Sequence, residues 1–390
     1  MKKKALIVIK SCNRRDLELD HVKNYLIGNG YSVDEIEARQ FIKLQKNSFN
    51  NDADLIIFST CAALNATEES AIQDLQMIQQ NKKAGAEVIV CGCLPEINPD
   101  RLSSVFNGAS FGPRSYEKLN EIIKSEKKFQ EYSHQNKTRA YGGDTFAIQI
   151  HEGCPNNCSY CAIKFSIGGL KSKPINDVMN EFRQGIGQGY KKFVFLGDCL
   201  GAYGLDINDN FGKLLKKVLE VDEDYSLSLL DIAPFYLPLF YNEIKMLCHM
   251  GKITSLYVAV QSANSRILRL MRRSFDMNHA KDMLIELKNG NSSFELITSI
   301  IVGFPSETME ELNDTIKFCK EVGFNTIYCH GYSVRPNVDS AKFQGQLSSE
   351  EIKERCLFVE SQLGDSVVIM TFPGDGATVR TISGKWSQTN

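Results

Sequence analysis

Three cysteines lie within eight positions in the stretch HEGCPNNCSYCAIKF, which begins at His151: Cys154, Cys158 and Cys161. The 390-residue chain contains 12 cysteines in all. Cytosolic thiols are kept reduced, so grouped cysteines in a chain of this length indicate metal binding or catalysis rather than disulfides. The spacing C-x3-C-x2-C therefore predicts a metal centre.

Three thiolates this close together can bind a [4Fe-4S] cluster by three corners and leave one iron open to an outside ligand. A structural zinc site is the main alternative, but it typically uses paired C-x2-C units and four ligands. The sequence has no second pair nearby. A chance group of buried cysteines is the remaining explanation. The spacing favours a reactive iron-sulfur cluster.

Three further cysteines each follow a different apolar run: Cys12, Cys61 and Cys93. The runs are ALIVI (5–9), DLIIFST (54–60) and AEVIVCG (86–92). If these runs are parallel strands, their carboxyl ends share one edge of a sheet. We therefore expect a second three-thiolate site. Cys91 lies within the third run and is predicted to be a core residue, as are the single cysteines Cys199, Cys248, Cys319, Cys329 and Cys356.

Alternation of short apolar runs with amphipathic stretches predicts an α/β protein with parallel sheets. Residues 1–125 are expected to form a doubly wound domain, in which one helix ends near Gly85. Residues 126–144 are polar and lack the hydrophobic periodicity of a helix or strand, as expected for a linker. In 145–347, six β-α units predict a full or partial β/α barrel, and a C-terminal helix with a short tail is predicted in 348–390. The barrel strands are predicted at 146–152, 191–197, 226–232, 255–261, 294–304 and 326–334.

Composition is that of an ordinary globular chain, with 43% hydrophobic and 24% charged residues. The start MKKKALIVIKSC is too short in its apolar part for a signal peptide, and no run approaches the roughly 20 apolar residues of a membrane span. We expect a cytoplasmic protein without a membrane partner. The net charge of -2 gives no global attraction to nucleic acid.

The C-x3-C-x2-C motif with Tyr160 before its last cysteine resembles the hallmark of the radical S-adenosylmethionine (SAM) superfamily. With the second cysteine set, the chain resembles the radical SAM methylthiotransferases over most of its length. The matching stretches are ADLIIFSTCA, VIVCGCLPEINPD, GCPNNCSYCAIKFSIGGLKSKP, LGDCLGAYGLD, VQSANSRILRLMRRS, IIVGFPSETMEEL and YSVRPNVDSA.

This resemblance implies two [4Fe-4S] clusters and SAM as cofactors. The barrel cluster, on Cys154, Cys158 and Cys161, would bind one SAM and split it into a 5'-deoxyadenosyl radical that abstracts a substrate hydrogen. The auxiliary cluster, on Cys12, Cys61 and Cys93, would carry a sulfur that a second SAM methylates. An external electron donor, such as flavodoxin or ferredoxin, and a sulfur source are implied as partners.

The resemblance also assigns cofactor contacts to residues at the ends of barrel strands. These residues are Tyr160, Asp198, Gln261, Ser262, Arg273 and Gly303. For Asp198 the alternative is an ordinary turn carboxylate. For Arg273, which could clamp a carboxylate through paired hydrogen bonds, the alternative is a solvated helix arginine.

The sequence departs from the family pattern in two places, one beside Cys12 and one after the barrel, and the second bears on the substrate. Arg15 stands where the first motif usually has asparagine, three residues after Cys12. The tRNA-modifying members typically end in a basic TRAM β-barrel, and the remainder after 363 is too short to close one. We therefore expect a peptide or protein substrate, with a modified adenosine of tRNA as the alternative.

Two other activities remain open at the sequence level. A radical SAM enzyme could use its second cluster for electron transfer or substrate anchoring. An iron-sulfur sensor without enzymatic activity is a more distant alternative. Stoichiometric SAM cleavage would exclude the sensor.

Overall fold

The computed structural model describes residues 3–38, 52–131, 143–291 and 293–371. The described residues form two compact units, the first made chiefly of those up to 131 and the second of those from 143 onward. Each unit has its own hydrophobic core. The domain boundaries inferred from the sequence stay a prediction, and the predicted tail after 371 lies outside the described residues.

The first unit contains a parallel sheet of five described strands in the order β2-β1-β3-β4-β5. The strands are β1 (Lys4–Ile9), β2 (Ser32–Glu37), β3 (Leu55–Thr60), β4 (Glu87–Gly92) and β5 (Ser110–Phe111). Residues 5–9 and 55–60 are buried without alternation, as expected for strands covered on both faces. The doubly wound fold is confirmed, and its strand order reverses between β1 and β3.

Helices of the first unit connect these strands. The α-helices are α1 (Asp16–Gly28), α2 (Asn65–Asn81), α3 (Leu94–Ile97), α4 (Pro99–Ser103) and α5 (Leu119–Ile122). Short 3-10 helices span Asn13–Arg15, Tyr116–Lys118 and Phe129–Glu131. The helix end predicted near Gly85 is wrong. Lys82 is already extended, and Gly85, with φ +79°, belongs to the tight turn before β4 in which the Ala86 N–H bonds the Lys83 carbonyl.

The second unit contains a parallel sheet of seven described strands in the order β6-β9-β10-β11-β12-β13-β14. Its strands are β6 (Thr145–Gln149), β9 (Lys192–Leu196), β10 (Ser226–Ile232), β11 (Ile253–Val258), β12 (Glu295–Val302), β13 (Thr326–Gly331) and β14 (Val367–Thr371). Strand order follows chain order, as in a β/α barrel. In the described residues β6 pairs only with β9 and β14 only with β13, which makes this a partial barrel.

Helices of the second unit follow the strands. They are α6 (Lys164–Ile167), α7 (Ile175–Gly187), α8 (Phe211–Leu219), α9 (Tyr241–His249), α10 (Ser265–Met271), α11 (Met277–Asn289), α12 (Met309–Val322) and α13 (Ser349–Leu363). The predicted last helix is confirmed as α13. Ser348 and Glu351 form a capping box at its start.

Two predictions for the barrel strands need correction. The stretch predicted as one strand over 146–152 breaks after β6, and β7 (His151–Glu152) pairs antiparallel with β8 (Lys171–Ser172). The segment after α13 forms a seventh strand, β14, which was not predicted from the sequence. No helix follows β14 in the described residues, so the strand–helix alternation that marked the other strands does not extend to it. Among the described residues, no helix has both the length and the apolar character to cross a bilayer.

Candidate active site

The cysteine loop, residues 153–163, follows β7 directly. Cys158 is buried, and Cys154 and Cys161 are partly exposed. The N–H of Cys161 bonds the carbonyl of Cys158 at 3.2 Å, so a tight turn joins these two cysteines. The loop therefore presents three thiols beside the carboxyl ends of the barrel strands, where α/β barrels place their active sites.

Ser159 fixes the middle of the cysteine loop. This residue is fully buried, and its hydroxyl donates to the Leu270 carbonyl at 2.7 Å. Its N–H bonds the Met271 carbonyl at 3.1 Å, and its own carbonyl accepts from the N–H of Ser340 at 2.9 Å. Three hydrogen bonds to two other segments hold the residue that lies directly after Cys158. The loop is thus anchored independently of any bound cluster.

Asp198 anchors the start of the same loop. It follows β9 by two residues, and its Oδ2 accepts the N–H of Gly153 at 2.8 Å. Gly153 has φ +76°, a conformation that glycine adopts without strain. The bond connects the end of β9 to the residue just before Cys154. Asp198 therefore has a structural role at the site, and its predicted contact with SAM stays a prediction.

Arg273 points into the cysteine loop. The preceding residue, Arg272, has the left-handed conformation (φ +58°) at the end of α10, and this turns the chain inward. The Arg273 side chain is 6% exposed; Nη1 donates to the Cys158 sulfur at 3.5 Å and Nη2 to the Ala259 carbonyl at 2.6 Å. The alternative of a solvated helix arginine is therefore wrong.

The Arg273 Nε is buried without a hydrogen-bond partner. Tyr160 lies at the same place, packed partly buried against the barrel core. Burial raises the pKa of the Tyr160 phenol, while the charge of Arg273 opposes this shift. A buried guanidinium without enough acceptors is costly unless an anion lies near it. The Cys158 sulfur lies 3.5 Å from Nη1, in contact with this guanidinium.

The remaining predicted cofactor residues lie at the ends of β11 and β12. Gln261 has φ +69°, and its Nε2 donates to the Ser299 hydroxyl at 3.1 Å, leaving Oε1 buried without a partner. Ser262 is fully buried and bonds Thr315. Gly303 has φ +78°, and a Cβ there would lie 2.5 Å from Ile352 Cγ1, so this turn requires glycine.

Cys199 is buried as predicted, but it lies at the site rather than in the main barrel core. Its thiol is hydrogen-bonded to that of Cys154, and both pack with Ala202 and Ala233. This hydrogen bond lowers the pKa of Cys199 against the effect of burial. Sequence reasoning missed this residue, although its position just after a barrel strand was a signal.

The second cysteine set lies at the edge of the first unit's sheet. Thr60 and Gly92 are register partners at the ends of β3 and β4, so the residues that follow them, Cys61 and Cys93, are neighbours. Gly92 has φ +94°, and a Cβ there would lie 2.4 Å from the Thr60 carbonyl oxygen. Only glycine permits this approach. Cys12 follows β1, next to β3 at the point where strand order reverses.

The thiols of Cys12, Cys61 and Cys93 interact electrostatically. Burial raises the pKa of Cys61 to about 11, and the charge of Cys12 adds to the shift. Burial raises the pKa of Cys93 to about 12, with contributions from Cys61 and Cys12. Arg15, which is 5% exposed, lowers both pKa values. Cys91 lies in the core of the first unit as predicted.

Each cysteine set has three thiols, the donor type that iron-sulfur clusters take. In the described parts of the chain, no three His, Cys, Asp or Glu side chains are arranged to hold one metal ion. Each set has three thiols and a buried arginine, Arg273 in one and Arg15 in the other. The three thiolates of each set would hold a [4Fe-4S] cluster, and the buried arginine would offset part of its negative charge.

The fold and the cysteine loop define a radical SAM barrel, and comparison with known proteins agrees. The model of the radical SAM superfamily matches residues 148–319, and that of the uncharacterized protein family UPF0004 matches residues 34–111. Among solved structures, the radical SAM methyltransferase TsrM from Kitasatospora setae has a similar fold. It is 13% identical with a TM-score of 0.62, covering 87% of this chain and 77% of TsrM.

The curated relatives of this chain belong to one group within the radical SAM superfamily, the methylthiotransferases. A probable threonylcarbamoyladenosine tRNA methylthiotransferase from Methanocaldococcus jannaschii is 30% identical over 329 residues, which are 80% of this chain and 75% of that protein. A tRNA-2-methylthio-N(6)-dimethylallyladenosine synthase from Thermotoga petrophila is 29% identical over 326 residues, 79% of this chain and 72% of that protein.

This chain belongs to the radical SAM methylthiotransferase family. It is therefore an enzyme that transfers a methylthio group, and it uses two [4Fe-4S] clusters and SAM. The sequence-based predictions of family, fold class, enzymatic activity and cofactors are confirmed.

Glu307, just after the turn at Gly303, gives a pH-dependent prediction. Burial raises the pKa of its carboxyl to about 7, although the Gly303 N–H and Arg355 favour the charged form. The folded protein thus holds this proton more tightly than the unfolded chain, whose carboxyl has a pKa of 4.5. The stabilisation is complete below that unfolded value and is lost as the pH rises through about 7.

Because of this carboxyl, the unsubstituted protein should lose about 3 kcal/mol of unfolding free energy between about pH 5 and about pH 8. The Glu307→Gln variant has no titrating group at this position and should not show this loss. Thermal unfolding of the cluster-loaded protein across this range measures the slope. Glu351→Gln, at the exposed start of α13, is the matched control and should keep the pH dependence of stability of the unsubstituted protein. Equal slopes in the two variants would show that Glu307 does not carry the effect.

Proposed function

We propose that this enzyme methylthiolates an adenosine of tRNA that already carries an N6 substituent. The observation that carries the proposal is the relatives' shared substrate: proteins 25–30% identical over most of this chain are named for tRNA adenosines. Their names divide between threonylcarbamoyl and dimethylallyl groups on N6, and the proposal covers both.

The barrel site is proposed to use Cys154, Cys158 and Cys161 as the three ligands of one [4Fe-4S] cluster. When bound, this cluster and SAM supply an organic radical that removes hydrogen from an unactivated C–H bond, and the auxiliary cluster supplies the sulfur. Ser159 and Asp198 hold the loop in place from its middle and its start. Arg273 keeps positive charge against the Cys158 sulfur.

The SAM-binding role is proposed for the barrel residues predicted from the resemblance. Gln261 offers a buried acceptor, Oε1, that is unpartnered. Gly303 shapes the turn after β12, where a side chain would clash with Ile352. Tyr160 packs beside Arg273, and Ser262 supports the turn after β11 through its bond to Thr315.

The auxiliary site is proposed to use Cys12, Cys61 and Cys93. Ligands in open α/β sheets bind where strand order reverses, and the ends of β1 and β3 flank that point here. Arg15, buried and ion-paired with Glu18, places a cation beside these thiols. A cation there would stabilise the negative charge of a cluster held by these thiols. The electron donor and sulfur source remain proposed partners.

The peptide or protein substrate stays a prediction, and the cytoplasmic location stays one too. The peptide argument depended on the sequence after 363, most of which lies outside the described residues. The named relatives favour the tRNA alternative instead. We therefore use the peptide as the competing substrate in the test.

The test is turnover on defined substrates with reconstituted enzyme, SAM and reductant. We expect a 2-methylthio product, detected by mass spectrometry, on tRNA carrying N6-threonylcarbamoyladenosine or N6-dimethylallyladenosine. The same tRNA without the N6 group is the matched control and should react poorly. Product on peptide pools with none on either tRNA would refute the proposal and restore the peptide prediction.

Binding should depend on salt in a way that distinguishes the two substrate classes. Because the chain has a net charge of -2, tRNA affinity must come from local lysines and arginines that meet phosphates. We expect it to fall at least tenfold between about 50 mM and about 200 mM salt. Filter binding of labelled tRNA at both salt concentrations measures this. An affinity independent of salt would contradict phosphate contacts as its source.

A further inference from the structure

Two cations lie directly beside the cysteine loop. Lys164 begins α6, three residues after Cys161, and its Nζ donates to Asn157 Oδ1 in the loop at 2.8 Å. Arg272 follows α10 and directly precedes Arg273, the residue whose guanidinium contacts the Cys158 sulfur. Segments on two sides of the loop therefore each carry a positive charge to it.

A third cation belongs to the segment after β13. The Arg272 Nη1 donates to Asp339 Oδ2 at 2.6 Å, and a 3-10 helix runs from Asp339 to Lys342. Side chains three residues apart in a 3-10 helix lie on the same side, so Lys342 is on the side of Asp339. The N–H of Ser340 bonds the Ser159 carbonyl at 2.9 Å, which fixes this helix to the cysteine loop.

Lys164, Arg272 and Lys342, here called the basic patch, surround the carboxylate of Asp339. The hydrogen bond from Arg272 lowers the pKa of Asp339, and the charges of Lys164 and Lys342 lower it further. Three positive charges against one negative charge leave a local excess of two positive charges, in a chain whose net charge is -2. The side chains of Arg272 and Asp339 are 45% and 42% exposed, so a ligand can reach them from solvent.

Exposed cations that outnumber the nearby carboxylate attract a polyanion, and a nucleic-acid backbone is one. Lysines and arginines that meet its phosphates release bound counterions, which favours binding. Arginine can bond a phosphate through two N–H groups, and lysine acts on it as a point charge. Phosphate contacts set the register and orientation of a nucleic acid on a protein. Their place beside the cysteine loop would bring a base of the bound strand to the barrel site.

We propose that Lys164, Arg272 and Lys342 bind backbone phosphates of the RNA substrate next to its target adenosine. The inference rests on the proposed tRNA function, and it names the source of phosphate contacts that the net charge of the chain does not supply. Asp339 opposes this binding, because its negative charge competes with phosphate for Arg272.

The experiment compares tRNA binding by two full-length triple variants after anaerobic reconstitution. The patch variant is Lys164→Gln/Arg272→Gln/Lys342→Gln. The matched control, Lys213→Gln/Lys216→Gln/Lys217→Gln, removes the same charge from exposed positions of α8. Each phosphate contact contributes about 0.7 to 0.9 to the slope of log affinity against log salt concentration. We expect the patch variant to lose about two from this slope and at least tenfold in affinity at about 50 mM salt, while the control stays within about twofold.

The variant Asp339→Asn tests the same surface in the opposite direction. Removing the competing carboxylate should tighten tRNA binding by about threefold at about 50 mM salt and steepen its salt dependence. Weaker binding would show that Asp339 only holds the 3-10 helix in place, and it would count against the proposal.

Other outcomes overturn the proposal in distinguishable ways. Equal losses in both triple variants would assign tRNA binding to overall charge rather than to the basic patch. Unchanged tRNA binding by the patch variant, with SAM cleavage slowed when flavodoxin but not dithionite is the reductant, would assign the patch to an acidic electron donor. Cleavage with dithionite in the absence of tRNA shows that the barrel site is intact. If the patch variant loses it, the three single variants are used, and each should lower the slope by about one.

Failure of this proposal can be told from failure of the proposed function. Product on tRNA with an unchanged slope in the patch variant would refute the phosphate contacts and leave the function. Salt-dependent binding through the patch without a 2-methylthio product would refute the function and leave the contacts. No tRNA binding by the unsubstituted enzyme would refute both.

Discussion

Replacing Cys154, Cys158 and Cys161 together by alanine is expected to lower the iron content from about eight to about four per chain and to abolish SAM cleavage. The barrel cluster loses all three motif thiolates. The auxiliary cysteines belong to the other compact unit, so their cluster should survive. Iron and sulfide analysis with a chromatographic assay of 5'-deoxyadenosine measures both effects.

A matched triple variant tests whether the loss is specific. Cys248, Cys319 and Cys356 are buried in the core of the same unit, on α9, α12 and α13. Alanine at these three positions removes the same number of thiols without touching the cysteine loop, and about eight irons should remain. Loss of all iron from the loop variant, or retention of all of it, would contradict two independent sites.

Strand ends were the predictable part of both sites. The apolar runs of the first unit become β1, β3 and β4 with shifts of one residue at most, because central parallel strands are buried on both faces and stand out as continuous runs. Cysteines just after such runs must share an edge. The convergence of Cys12, Cys61 and Cys93 followed from that rule alone.

Side-chain direction after a turn was not predictable from the sequence. Arg273 is buried because Arg272 adopts a left-handed conformation at the end of α10, a conformation uncommon for residues other than glycine. No local pattern marks that turn. The alternative of a solvated arginine was therefore as reasonable as the functional one until the structure placed Nη1 against Cys158.

Contacts between segments that are distant in the sequence could not be predicted either. Ser159 anchors the cysteine loop through Leu270, Met271 and Ser340, more than 100 positions along the chain, and a serine between two cysteines carries no signal for this. Cys199 did carry one, because it follows a barrel strand. Because Cys199 occurs singly in an apolar stretch, the sequence favoured a core residue. Its packing with Cys154 depends on the tertiary structure.

Replacing Cys12, Cys61 and Cys93 together by alanine is expected to abolish the methylthio product while reductive SAM cleavage persists. These thiols lie at the strand ends of the first unit, and the cysteine loop with its anchors Ser159 and Asp198 belongs to the second. The variant should therefore keep the radical-forming site and lose the proposed sulfur carrier. Product is followed by mass spectrometry and cleavage by the amount of 5'-deoxyadenosine.

The single variant Cys91→Ala is the matched control, because Cys91 lies one residue from Gly92 but within the core of the first unit. It should keep both activities. Undiminished methylthiolation by the triple variant would refute the sulfur-carrying role of the auxiliary cluster. Methylthiolation lost together with all SAM cleavage would instead favour the alternative in which the second cluster conducts electrons to the barrel, since an electron-transfer role makes radical formation depend on it. Cleavage that persists without product separates the two roles, because sulfur insertion then fails downstream of a working radical site.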